Sequence, residues 1–252
     1  CALPISYVLL GVEPELECRD PAQAVAAMKQ AGFVVALSPF QHKAVDYAHV
    51  MLPIAPFTET AGTFVNTEGR AQSFQGVVQP LGETRPAWKV LRVLGNLLGL
   101  QGFDQQSADE VRVEALGANN EKINKNIHLD VAIAVPSAAV SATAGVQRIA
   151  ETPIYAADAL VRRAPSLQKT RDGQAPVASM PRALADKLGL RDGDSVRVSQ
   201  GDGSAVVGYA IDDKLPADCV RLAAARVETS GLGAADAPLT LERVAGQQRA
   251  AG

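Results

Sequence analysis

Thirteen residues at 58–70, TETAGTFVNTEGR, pack two glutamates, an arginine, an asparagine, four threonines and two glycines together. Glu59 and Glu68 could act as a general acid and base, or pair with Arg70 in a buried ion network. Gly62 and Gly69 let the backbone turn sharply or approach a ligand closely. Thr63 offers a hydroxyl, and Asn66 can hold a turn through its side-chain amide. No serine, cysteine or histidine nucleophile constellation accompanies them. On residue type alone, tethering of the chain leads and a cofactor contact follows.

The other reactive side chains are scattered. Cys1, Cys18 and Cys219 lie far apart with no C-x-x-C, so no dithiol or cluster-binding motif is visible. This usage fits a reducing compartment. His42 and His49 stand seven residues apart without an evident third metal ligand, and His128 has no nameable partner. The Asp-Gly at 192–193 and the GDG at 201–203 read as turns, since neither fits a P-loop or an EF-hand. Arg162 and Arg163, with Lys169 and Arg171, form a basic patch that either meets an acidic partner surface or is solvated.

These residues need a scaffold, and the composition supplies one. The chain has 252 residues and is 47% hydrophobic, enough for one or two cores. A formal charge of -3 and 4% aromatic content argue against a nucleic-acid surface. The apolar run VAIAVPSAAVSATAGV at 131–146 is alanine-rich and broken by Pro136, so no membrane span is expected. The opening CALPISYVLLG reads as a chain already inside a strand, so the expected beginning lies upstream.

Apolar runs at 7–11, 33–38 and 49–54 predict strands. Between the first two, Asp20 and Pro21 predict a helix start and Gly32 its end, with Ala24, Val25 and Met28 on one face. Strands this apolar predict a parallel sheet covered on both faces. Residues 85–100 predict a helix whose Trp88, Leu91, Leu94 and Leu98 face a core. Residues 101–174 read as linker and short helices. From about 175 a short helix, Asp-Gly turns and alternating strands predict a small β-barrel or mixed domain.

The stretch MLPIAPFTETAGTFVNTEGRAQSFQGVVQPLGETRPAWKVLRVLGNLLGL at 51–100 resembles the molybdopterin oxidoreductase family. Within that family it looks most like the large iron–sulfur subunits of bacterial NADH-quinone oxidoreductase, respiratory complex I. YAADALVRRAPSLQKT at 155–170 carries the same likeness, and ALADKLGLRDGDSVRV at 183–198 is similar to the family's dinucleotide-binding barrel.

The resemblance implies an α/β fold: a Rossmann-like parallel sheet remnant over 1–103, a linker over 104–174 and a β-barrel-like domain over 175–245. It implies that Glu59, Gly62, Thr63, Asn66, Glu68, Gly69 and Arg70 mark a degenerate pterin site. No catalytic residue, metal or cofactor is then expected in this segment. Iron–sulfur clusters of the 4Fe–4S and 2Fe–2S types are expected in an upstream part of the parent protein. The implied partners are other peripheral-arm subunits, on the cytoplasmic face of the bacterial inner membrane, with no nucleic acid and no direct membrane span. The implied process is electron transfer from NADH to quinone, coupled to proton translocation. An active molybdopterin-dependent oxidoreductase of the formate dehydrogenase kind is the alternative, and would need a Cys, Sec or Ser metal ligand upstream. A stand-alone binding module is a third reading.

Overall fold

A computed structural model describes residues 6–120, 122–123, 145–235 and 237–246. Cys1, His128 and all but the last two residues of the apolar run at 131–146 lie outside them.

The first sheet is parallel, in the order β1 (Ser6–Leu10), β2 (Phe33–Ser38), β3 (Val50–Pro53). Between β1 and β2 come a one-turn helix α1 (Pro14–Glu17) and α2 (Pro21–Gln30). The Asp20 side chain accepts from the Gln23 N–H, which satisfies a donor at the start of α2. A 3-10 turn at Lys43–Asp46 leads into β3. Tyr7, Leu9, Val34, Ala36 and Met51 point toward Met28, Ala44 and Tyr47 and form the core of this region.

That face is covered; the opposite face is covered only in part, with Leu37 buried on it. Val8 pairs with Val35, and Val35 with Val50, on the opposite face. There Val8 is 56% exposed, and Leu10, Phe33 and Val50 are also exposed. The expected two-sided cover is therefore only partial among the described residues. With strand order following chain order, right-handed crossovers put both connections on one side of the sheet.

After β3, β4 (Gly62–Val65) and β5 (Ala71–Phe74) form a two-stranded hairpin. Helix α3 (Ala87–Leu97) and helix α4 (Ala108–Leu116) follow. The leucine and tryptophan stripe of α3 falls short of the expected core contact: Trp88, Leu91 and Leu94 are half-buried, and Leu98 is exposed.

The second sheet has six strands in the order β11-β8-β9-β7-β10-β6. Its members are β6 (Gln147–Ile149), β7 (Val177–Met180), β8 (Ser195–Gln200), β9 (Gly203–Ile211), β10 (Cys219–Arg221) and β11 (Thr240–Val244). Short helices α5 (Ala159–Arg162) and α6 (Pro165–Gln168) join β6 to β7, and α7 (Arg182–Lys187) follows β7. The sheet reaches back to Gln147, well before the boundary expected at 175, because β6 pairs with β10 in parallel. The two edge strands meet where Val146 bridges Leu239, which curls the sheet toward closure. Met180, Val196, Val198, Val220, Leu222 and Leu232 fill the interior and are fully buried.

Candidate functional site

The 58–70 stretch is the hairpin and its approach. Each conspicuous residue has a local task. Asn66 Oδ1 accepts from the N–H groups of Glu68 at 3.0 Å and Arg70 at 2.9 Å, which closes the turn. Gly69 takes φ +75°, a conformation that costs a side-chain-bearing residue energy. Gly62 lies opposite Phe74, and a Cβ there would sit 2.7 Å from the ring. Phe74 stacks on Phe64 at 4.9 Å between centroids. The Thr63 and Ser73 hydroxyls share a hydrogen bond of 3.0 Å across the strands. Glu59 Oε2 accepts from the Leu81 N–H at 2.9 Å and pins the following loop.

The buried ion network considered for Glu59, Glu68 and Arg70 does not form. Glu68 and Arg70 are 3.8 Å apart, and both side chains are more than two-thirds exposed. Such a pair contributes little to stability.

The buried charges lie elsewhere, at the junction of the two sheets. The chain leaves β1 through Gly11, and Pro14 starts α1 so that Glu13, Glu15 and Glu17 line one turn. Glu17 reaches back to accept from the Glu13 N–H. On the other side, Asp158 caps α5 by accepting from the N–H groups of Leu160 and Val161, which places Arg162 and Arg163 at its end. Arg162 Nη2 lies 3.2 Å from Glu13 Oε2 and also pairs with Glu17. Arg163 Nη1 lies 2.7 Å from Glu13 Oε1, and its guanidinium sits 4.7 Å from the centre of the Phe40 ring. Arg162 and Arg163 thus meet the chain's own acidic turn at α1, about 150 residues earlier in sequence, while Lys169 and Arg171 of the same patch are exposed.

Glu15 faces the first core. Tyr47 donates its hydroxyl to Glu15 Oε2 at 2.9 Å. Burial and this carboxylate push the Tyr47 pKa well above the ordinary tyrosine value. His42 Nδ1 accepts from the Ala44 N–H at 3.2 Å, so the proton of the neutral ring sits on Nε2, which is buried without a partner. His49 Nδ1 instead accepts from the Val34 N–H at 3.0 Å. The two histidines therefore serve separate backbone contacts. Among the described residues no group of three or more His, Cys, Asp or Glu stands together to hold a metal.

A cleft of about 450 Å³ opens beside the junction, lined by Glu17, Cys18, Arg19, Arg148, Thr229 and Ser230 among others. Arg148 is buried, and its guanidinium donates to the carbonyls of Leu222 at 3.3 Å and Ala223 at 3.1 Å. Burial lowers its pKa. The Cys18 thiol is pushed up by burial and then by Glu17 and Glu15, which keeps it protonated and a poor nucleophile.

A pterin cofactor would need donors and acceptors aimed outward from the 58–70 stretch. Among the described residues, buried side-chain atoms without a hydrogen bond lie on Glu13, His42, Arg92, Arg162 and Gln200, and none lies in this stretch. Glu13 Oε1 is charge-compensated by Arg163. The hairpin residues hydrogen-bond to one another or face solvent.

Residues 3–97 match the family model described as Molybdopterin oxidoreductase. The fold agrees: acetylene hydratase from Pelobacter acetylenicus matches with a TM-score of 0.62 at 16% identity, over 94% of this chain and 44% of that one. Homologues over most of the chain are, by name, the G subunits of NADH-quinone oxidoreductases. The one from Mycobacterium bovis is 30% identical over 217 residues, which is 81% of this chain and 25% of the relative. The one from Streptomyces coelicolor is 28% identical over 205 residues, 79% of this chain and 23% of the relative. A protein of Staphylococcus aureus named as a candidate formate dehydrogenase is 39% identical over 74 residues, 29% of this chain and 8% of the relative. The chain spans about a quarter of the length of the NADH-quinone oxidoreductase relatives it matches. Among the described residues no helix is long and apolar enough to cross a membrane.

Sequence reasoning marked the basic half of the junction, Arg162 and Arg163, and missed its acidic half, whose signal is the clustering of Glu13, Glu15 and Glu17 around Pro14.

Proposed function

We propose that this chain is a supporting part of the peripheral arm of a respiratory NADH-quinone oxidoreductase. The reading gives it no chemical step of its own. It holds two folded regions in fixed relation and offers surface to neighbouring subunits, while electrons pass from NADH to quinone through iron–sulfur clusters carried elsewhere in the assembly. One observation carries this reading: the polar side chains of 59–70 serve the hairpin itself or solvent. The likeness to NADH-quinone oxidoreductase relatives over about four-fifths of the chain supports it. A fold can outlast the site it once carried.

The second reading is a molybdopterin-dependent oxidoreductase of the formate dehydrogenase kind. Its support is the higher identity of a relative with that name, over a much shorter stretch. Metal and pterin analysis of the anaerobically purified parent assembly separates the two. Iron and acid-labile sulfide without molybdenum, tungsten or pterin is the expected result. Stoichiometric molybdenum or tungsten with pterin would overturn the first reading in favour of the second.

A further inference from the structure

Helix α3 presents its apolar residues to a groove rather than to a core. The groove holds about 470 Å³ and is floored by Leu52, Val90, Val93, Leu94 and Leu97. Val93 and Leu97 are exposed, Leu97 at 80%. Leu52 is half-buried on the partly covered face of the first sheet, in register with the buried Leu37, so the groove continues that side of the sheet toward its exposed Val8 and Val50. Water contact with this much contiguous apolar surface is unfavourable, and such patches mark places where another surface docks.

The rim gives the occupant's chemistry. Arg85, Lys89 and Arg92 line the groove and no acidic residue does. Arg85 donates to the Thr84 carbonyl at 2.8 Å and lies 3.6 Å from Glu83, with its side chain more than half exposed. Lys89 lies 5.4 Å from the centre of the Trp88 ring. Arg92 is half-buried, and its Nε is buried with no hydrogen-bond partner. Glu114, on the adjoining surface, accepts from the Gln105 amide. A half-buried guanidinium with an idle Nε loses hydration without recovering it, and a carboxylate is the group that fits its fork.

Lys89 and Arg92 lie about one turn apart on α3, and Arg85 stands just ahead of the helix, where its backbone bridges Ile54, so three cations follow the α3 edge of the groove. A ladder of cations beside an apolar floor matches an amphipathic helix with carboxylates at turn spacing along its apolar stripe. A single-headed amphiphile would use only one of the three cations. We propose that this groove docks an acidic amphipathic helix of a partner polypeptide, with Arg92 pairing to one of its carboxylates. The inference stands whichever assembly the chain serves.

Trp88 is the chain's one tryptophan, and it sits a turn before Arg92, so its fluorescence reports on the groove. The probe is a synthetic amphipathic helix of about five turns, with leucines on one face and glutamates beside them at turn spacing. A control peptide carries glutamine in place of each glutamate. The whole 252-residue chain is titrated at low salt. The glutamate peptide is expected to shift Trp88 emission saturably and to bind about tenfold tighter than the control. Arg92→Gln should remove most of that difference, and Leu97→Asp should abolish binding of both peptides. Arg92→Glu should restore binding to a lysine version of the peptide, which a merely misfolded groove would not do. Equal affinity for the glutamate and glutamine peptides, or an unchanged difference in Arg92→Gln, would overturn the proposal. So would saturable oleate binding that displaces the peptide from a groove indifferent to its charges. Concentration-dependent self-association in sedimentation, removed by Leu97→Asp, would assign the groove to a second copy instead.

Discussion

Val198 and Val8 are both strand valines in one chain, yet the first is fully buried and the second is 56% exposed. The difference follows from connectivity. In the second sheet β8 and β9 pair antiparallel, and the sheet curls until Val146 meets Leu239, so inward side chains face one another across a closed interior. The first sheet carries both of its crossovers on one side and leaves the other partly bare. One region completes its own core; the other keeps part of its apolar surface for something else.

The junction between them should give the largest effect. Arg162 is 9% exposed and compensates Glu13, itself 3% exposed at the side chain. Replacing both Arg162 and Arg163 by alanine leaves that carboxylate buried without compensation, which should cost about 3–5 kcal/mol. Urea unfolding followed by far-UV circular dichroism should also split into two transitions, as the regions uncouple. A single transition displaced by less than about 1 kcal/mol would mean that Glu13 reaches water or another cation when both arginines are lost.

Leu222 and Leu10 test the contrast directly. Leu222 has no solvent exposure and Leu10 has 47%. Leu222→Ala should lose about 2–5 kcal/mol through transfer and cavity costs. Leu10→Ala should cost about 1 kcal/mol or less, because little of its surface leaves water on folding. Similar losses at both sites would show that the bare part of that face is covered in solution.

The sequence made some of this plain and hid the rest for physical reasons. Local signals were legible: Asp20 and Pro21 started α2 as expected, and FVVALS became β2 residue for residue. Asn66 and Gly69 were readable as turn chemistry, though the hairpin around them was not foreseen. Its strands are short, and Gly62 has no side chain to show an alternating pattern. The stripe on α3 has the right period for a helix, but period reports which residues share a face, not what that face meets. Charge pairing across some 150 residues leaves no local trace, so Arg162 and Arg163 read as a surface patch. The same applies to β6, whose three residues acquire meaning only beside β10.

The closed region also has an acid limit. Asp194 accepts from the Arg191 N–H at 2.8 Å and the Gly246 N–H at 2.9 Å, and pairs with Arg243 at 2.6 Å. The Arg243 hydrogen bond, with help from Gly246, pulls its carboxyl down to about 2. A depressed carboxyl stabilises the fold fully above its unfolded value of about 3.9 and loses that contribution as pH falls through the folded value. Stability of the chain should therefore fall between about pH 4 and pH 2 through this group. Asp194→Asn should flatten that part of the profile and leave the slope above pH 5 unchanged. An unaltered acid limb in the variant would show that Asp194 is not the group responsible.

The smallest effect sharpens the comparison most. Val8 and Val34 lie on adjacent strands of the first sheet but on opposite faces, Val34 fully buried and Val8 open. Valine to threonine keeps the shape and replaces a methyl with a hydroxyl. At Val34 that hydroxyl enters an apolar core lined by Leu9, Met28 and Ala36, and should cost about 1–3 kcal/mol unless it finds a partner. At Val8 it meets water, and the change should stay within about 0.5 kcal/mol. Both variants keep strand propensity, since threonine is β-branched like valine, so the difference isolates burial. Chemical denaturation at two protein concentrations is the measurement. A Val8→Thr cost that matches Val34→Thr and grows with concentration would mean that copies of the chain cover the face. A small cost independent of concentration would leave that part of the face bare in the free chain, as its one-sided crossovers dictate.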